Sequence, residues 1–167
     1  MIAVGVDSGT RSTKVLLVDF ETGRVLGRGK ADHAQVPGLP PRASEQHPSM
    51  WVAALEEALG EALRGSSADP AEVAAIGVSG QQHGFVPLAA GGRPIRPAKL
   101  WNNTATVDET LEIVERLGGQ AGVIDKLGLA LAVGYTASKI LWLKKREPGN
   151  FAALDRILLP HDYLNLF

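Results

Sequence analysis

Seven residues near the start of the chain could do chemistry together. Asp7-Ser8-Gly9-Thr10-Arg11-Ser12-Thr13 offers one carboxylate, one glycine and four hydroxyls. A loop of small hydroxyl residues lets backbone N–H and side-chain O–H groups converge on an anion, and a phosphate is the obvious candidate. A bare carboxylate about 4 Å from a phosphate charge repels it by roughly 1–4 kcal/mol, depending on the local dielectric. Asp7 beside a phosphate turn therefore implies a divalent cation between them, such as Mg²⁺ with retained waters. The same residues also suit a β-hairpin whose Asp and Thr merely satisfy the turn. The residues alone leave both readings open.

The elements that must position this loop follow from the apolar pattern. Residues 2–6 and 14–18 are short runs rich in Val, Ile and Leu, and they read as two buried strands flanking it. Residues 20–23 form a turn, with Gly23 available for positive φ. Residues 24–30 read as a third strand, edge-like because of its charges and glycines. Three consecutive strands joined this tightly are antiparallel neighbours. Residues 31–47 form a long Pro-rich loop, and Pro48 fits the first position of a helix. Trp51, Ala54, Leu55, Ala58, Leu59, Ala62 and Leu63 then form one apolar stripe.

Residues 73–78 are a further strand, delivering Ser79-Gly80-Gln81-Gln82-His83-Gly84 at its carboxyl end, and residues 85–89 and 98–101 continue the strand pattern. Thr106 and Glu109 have capping-box spacing, with Leu111, Val114 and Leu117 as the stripe of that helix. Residues 136–146 read as another helix, with Ala137, Ile140 and Leu141 on one side, and residues 157–159 as a last strand. The order of elements predicts a mixed α/β sheet flanked by helices.

Composition narrows the partners. With 167 residues and 45% hydrophobic content the chain can bury a real core. A net charge of −1 gives no electrostatic case for nucleic acid or for an anionic membrane surface. No apolar run approaches the roughly 20 residues of a membrane span. The absence of cysteine excludes disulfides and thiolate metal sites and is compatible with a cytoplasmic location. His33, His47 and His161 have no partners at metal-ligand spacing. Leu164-Asn165-Leu166-Phe167 is an apolar end without a polar tail, which reads as a piece of a longer chain; its exposure would favour self-association, and a homodimer is compatible with it.

Four segments together carry a family resemblance. GVDSGTRSTKVLLVD resembles the first phosphate motif of the actin-like sugar-kinase superfamily, and SGQQHG at 79–84 is similar to the sugar-binding segment of xylulose kinases. Lys99-Leu100-Trp101-Asn102 and GYTASKILWL at 134–143 resemble two further segments of the same enzymes, the FGGY family of carbohydrate kinases. The resemblance implies a ribonuclease-H-like (actin-like ATPase) fold, with residues 1–167 as the first of two such domains closing over ATP and sugar. It implies ATP-dependent phosphorylation of a pentulose, D-xylulose to D-xylulose 5-phosphate, or of another family substrate of ribulose, gluconate or glycerol type. A non-catalytic actin-like ATP-binding domain is the alternative from a different class.

By the same resemblance Asp7 organises the Mg²⁺–ATP phosphates as metal ligand and catalytic residue. Gly9, Thr10 and Ser12 form the phosphate turn, Gln82 and His83 touch the sugar, and the catalytic base belongs to the second domain. Four positions depart from the family pattern: Gln82 stands where Met is frequent, Asn103 and Ala105 where Asp and Arg are usual, and Arg11 where Ser or Thr is common.

Each candidate has a plainer reading. A neutral imidazole can donate to and accept from sugar hydroxyls, but an isolated His83 would be a structural histidine. Gln81 could brace the turn or touch substrate. Trp101 could stack on a sugar face or sit in the core. Trp51 and Trp142 read as packing residues, Tyr135 as a sugar-pocket candidate, and Lys139 as a solvated helix residue.

Overall fold

A computed structural model describes residues 1–167. In chain order the elements are β1 (Ile2–Ser8), β2 (Ser12–Asp19), β3 (Val25–Asp32), β4 (Glu45–Gln46), α1 (Pro48–Arg64) and β5 (Val73–Gly80). They continue with β6 (Val86–Leu88), β7 (Ala98–Lys99), α2 (Val107–Arg116), α3 (Gly119–Leu127), α4 (Thr136–Arg146), α5 (Pro148–Ala152), β8 (Arg156–Leu158) and α6 (Pro160–Leu164). The chain divides into two compact units, one of Met1–Gln35, His47–Gln82 and Pro160–Phe167, the other of Val36–Gln46 and His83–Leu159. Each is built differently.

The first unit is a four-stranded mixed sheet of order β3-β2-β1-β5. The hairpins joining β1 to β2 and β2 to β3 make antiparallel pairs, as their short connections require. β5 returns through α1 and pairs parallel to β1 on its free edge. The turn between β2 and β3 has Gly23 at φ 71°, and Asp19 Oδ1 accepts from the backbone N–H groups of Glu21 and Thr22. α1 begins at Pro48, whose missing N–H costs nothing at a helix start. It lays Ala54, Ala58 and Ala62 on the core face of the sheet, against Val4, Val6, Val15 and Leu17.

The glycines of β3 have a reason beyond the edge position expected of them. A Cβ at Gly29 or Gly27 would collide with the carbonyl oxygens of Ala58 and Ala62 respectively. Small residues on both sides let helix and sheet backbones approach closely. The chain end is also more ordered than expected. α6 packs against α1 and β5, with Tyr163 edge-on to Trp51 at 6.3 Å and Leu164 buried, so only Leu166 and Phe167 remain as exposed apolar residues.

The second unit departs further from the expected pattern. β6 and β7 do not extend the four-stranded sheet; β6 pairs antiparallel with β8, and β7 with β4, each in a separate two-stranded sheet. The capping box at 106–109 does not form. Thr106 Oγ1 instead hydrogen-bonds the buried Ser138 Oγ of α4 at 2.9 Å, and the buried Glu109 carboxylate faces Lys145 and Arg146 of α4 at 3.7 and 3.9 Å. α2 therefore turns Glu109 and Thr110 inward and leaves Leu111 of its apolar stripe exposed, with Val114 and Leu117 half-buried. Tertiary partners for the polar groups outweigh the local signal.

The close approach of α1 to β3 is testable. Gly29→Ala is expected to destabilise the fold by about 1–3 kcal/mol, since the helix or the strand must move to admit the methyl group. Gly5→Ala, on the open face with nothing within 4 Å of its Cβ, is expected to fall within about 0.5 kcal/mol of the parent. Urea unfolding midpoints of the two variants measure the contrast, and equal midpoints would refute it.

Candidate active site

In the first unit the site is built by strand alternation. Val4, Val6 and Ser8 of β1 face inward, which leaves Gly5 and Asp7 on the exposed face. The Asp7 carboxylate makes no hydrogen bond or ion pair. Its neighbours in register are Lys14 on β2 and Ser79 on β5, both exposed. Gly5, Asp7, Lys14, Leu16, Gly77 and Ser79 line an open groove of about 440 Å³ on this face. Lys14 and Ser79 are the residues that motif reading did not single out; strand register, which no local pattern gives, places them beside Asp7.

The turn after β1 sorts its four hydroxyls. Ser8 and Thr13 are buried and hydrogen-bonded to each other at 3.0 Å, so they close the hairpin and are not free for a ligand. Gly9 N–H donates to Ser12 O at 3.0 Å. Gly9, Thr10 and Ser12 are half-buried at the tip. Gly9 does not adopt positive φ, and a Cβ there would meet only Ser12 O at 3.6 Å. The hairpin itself therefore does not demand glycine at this position. Gln81 braces the end of β5, its N–H donating to Ser8 O at 3.0 Å. Gln82 is exposed, with its amide nitrogen donating to Gly80 O at 3.2 Å.

The division between units falls between Gln82 and His83, so His83 belongs to the second unit. It is exposed, sits at φ 56° in the left-handed region, and its ring stacks on that of Tyr135 at 4.0 Å with the planes 8° apart. Lys139, expected in solvent, is fully buried. Its Nζ donates to His83 O at 2.6 Å and to Gly134 O, and Thr136 Oγ1 donates to Gly84 O at 3.5 Å. Burial, reinforced by the nearby Lys99 charge, lowers the Lys139 pKa to about 7.

Trp101 is 51% exposed, which removes it from the core. Behind it Gly134, at φ 97°, passes so close to Trp101 O that a side chain at 134 could not fit. Asn103 is buried; its amide nitrogen donates to Ser44 O at 3.2 Å and its Oδ1 accepts from Ala105 N–H at 3.2 Å. A carboxylate could not make the first of these bonds. Lys99 and Arg96 lie over the Trp142 ring at 3.6 and 4.8 Å and share Glu45, with Arg96 also pairing Glu147 at 2.7 Å. These groups hold β4 and β7 in place. Trp51 and Trp142 are packing residues, as their spacing indicated.

Known proteins match this chain end to end. Residues 2–167 match the family described as "FGGY family of carbohydrate kinases, N-terminal domain". A xylulose kinase of Haemophilus influenzae is 43% identical over 97% of this chain and 34% of its own length. One from Streptomyces coelicolor is 41% identical over 98% of this chain and 32% of its own. The crystal structure of xylulose kinase from Bifidobacterium adolescentis superposes with a TM-score of 0.88 at 32% identity, covering 99% of this chain and 33% of that one. The chain thus spans about a third of the length of these relatives.

Burial of Lys139 sets a pH dependence of stability. Its folded pKa of about 7 lies below the ordinary lysine value, so between the two the folded state binds fewer protons than the unfolded one. Stability is therefore expected to rise as pH increases from about 7 towards 10, by at most roughly 1.4 kcal/mol per pH unit. Lys139→Met should remove that increment, while the smaller contribution of Lys99, also lowered by burial, persists in both proteins. Urea midpoints at pH 7 and 9 give the comparison; the same rise in both would refute it.

Proposed function

This chain belongs to the FGGY family of carbohydrate kinases, and from that premise we propose that the protein carrying it transfers a phosphoryl group from ATP to a hydroxyl of a pentulose, D-xylulose giving D-xylulose 5-phosphate. The observation that carries the reading is Asp7: an exposed carboxylate without a protein partner, beside Lys14 and Ser79, at the carboxyl ends of the parallel pair β1 and β5. Ligands of open α/β sheets characteristically bind outside these strand ends. The names of the relatives at 41–43% identity support xylulose as the sugar.

The residues fit a hydrated Mg²⁺. The ion keeps most of its waters and takes one or two carboxylates, which is what a lone Asp7 above an open groove offers. Mg²⁺ held there would neutralise charge developing on the transferring phosphoryl group. The chain's own residues have separate tasks. Thr10 and Ser12 present hydroxyl donors to the phosphates on the turn that Gly9 closes, its own N–H being taken by Ser12 O, and Lys14 adds a cation on the same face. Gln82 and His83 bind the sugar hydroxyls, and Trp101, half exposed, is a candidate to contact the sugar. The family resemblance assigns the base to the second domain.

Phosphorylation of a panel of pentuloses by the complete protein, with Mg²⁺–ATP, tests the reading. Preference for xylulose supports it, and preference for ribulose or a polyol overturns the sugar assignment. Asp7→Asn should fold normally, because the side chain is exposed, yet lose at least about a hundredfold in turnover, equivalent to roughly 3 kcal/mol of barrier. Turnover within a few-fold of the parent would remove Asp7 from the metal site.

A further inference from the structure

His83 is one of only two residues other than glycine at positive φ, the other being Arg42. A side chain in that region is strained, and such a conformation persists only where surrounding contacts over-determine it. Three contacts do so here. Lys139 Nζ donates to His83 O, Thr136 Oγ1 donates to Gly84 O, and the Tyr135 ring lies flat on the His83 ring at 4.0 Å. All three side chains come from one short stretch at the start of α4. The same Lys139 Nζ also ties Gly134 O, and Gly134 packs against the backbone of Trp101. Lys139 is fully buried, and both groups it meets are backbone carbonyls rather than a carboxylate. A lysine used only to fill space or carry surface charge would not be placed this way, because an amine out of water without an anionic partner is costly.

We propose that Lys139 and Tyr135 are positioning residues for sugar recognition: Lys139 locks the His83 backbone in its left-handed conformation while Tyr135 fixes the plane of the imidazole. The proposal rests on the reading of His83 as a sugar-binding residue. Neither residue touches the sugar through the groups described; each acts through His83. With the ring held from one face, its edge nitrogens meet sugar hydroxyls in one orientation, and the cost of ordering them is met on folding rather than on binding. Loss of either contact leaves His83 free to relax towards ordinary φ and to rotate.

The test uses the complete protein and two readouts, one of which does not depend on activity. Stacking at 4.0 Å places the His83 ring protons in the Tyr135 ring current. In histidine-labelled protein the His83 resonance, identified by its loss in His83→Asn, should therefore lie upfield. Lys139→Met and Tyr135→Leu should both return it towards the free-imidazole position, and Tyr135→Phe should keep it upfield. In the same two disruptive variants kcat/KM for xylulose should fall about tenfold or more, the scale of one misplaced hydrogen-bonding group, with KM for ATP unchanged within about twofold. An unmoved resonance overturns the positioning role. A moved resonance with unchanged kcat/KM for the sugar instead overturns the assignment of His83 to the sugar, and the proposal falls with it. Equal losses for sugar and ATP would indicate general loosening and also refute it. Should Lys139→Met fail to fold, Tyr135→Leu decides alone, since it leaves the buried amine in place.

Discussion

Everything in the first unit depends on the phase of β1. Ile2, Val4 and Val6 are buried while Gly5 and Asp7 are exposed, so a slip of one residue would turn the Asp7 carboxylate into the apolar core. The phase is locked from both edges. The antiparallel register sets Asp7 opposite Lys14, and the parallel register sets it beside Ser79. At the end of the pair Gly80 approaches Ser8 so closely that a Cβ would lie 2.8 Å from its carbonyl oxygen. An exposed acid, an exposed cation and an exposed hydroxyl thus share one face because hydrophobic burial on the other face leaves no alternative. The chemistry of that face follows from the packing of its reverse.

The second unit solves a different problem, because it buries charge. Glu45, Lys99 and Lys139 are all removed from solvent, with Arg96 nearly so. Buried ion pairs usually contribute little net stability compared with apolar residues of similar volume, since desolvation offsets attraction. Their presence is better understood through the geometry they fix. Arg96 and Lys99 converge on Glu45 and cover Trp142, which joins β4 and β7 to α4. Lys139 has no carboxylate and spends its donors on the backbone of the loops that carry His83 and Gly134. Uniqueness of loop conformation, more than stability, is what such an arrangement secures.

Sequence periodicity was sufficient where burial is one-sided. β1, β2, β3, α1, β5 and α4 lie within a residue or two of their expected limits because each presents an apolar face or stripe, or a Pro or Gly boundary. It failed where polar side chains are the buried ones. Thr106 and Glu109 have the spacing of a cap but bond to or face α4, and Lys139 on a charged helix looked solvated yet is wholly enclosed. The pattern does not announce α3, α5 or α6: the first lies between glycines with a single buried residue, Val123, and the other two are only five residues long. The two small sheets of the second unit pair strands of two or three residues across long separations, which no local pattern can announce. In the candidate site, Asp7 and the turn were legible as types and spacing, whereas Lys14 and Ser79 became neighbours of Asp7 only through strand register.

Burial also sorts the family segments into residues that build the site and residues that can meet a ligand. Within 99–103, Lys99 and Leu100 are buried, Trp101 and Asn102 are exposed, and Asn103 is buried again. Lys99 is committed to Glu45 and Trp142, and Asn103 to Ser44 and the N–H of Ala105. Asn103 is therefore an internal tie, its amide donating where a carboxylate could only accept. Within these two segments the exposed groups are Gln82, His83, Trp101 and Asn102. Of these, Gln82 carries an amide that can both donate to and accept from a hydroxyl. A site that hydrogen-bonds a substrate hydroxyl rejects analogues lacking it far more strongly than an apolar wall does, because its own polar group is then left unpaired. An exposed amide such as Gln82 is the kind of group that can exert such selection, whereas the buried Asn103 acts only on the packing beneath it.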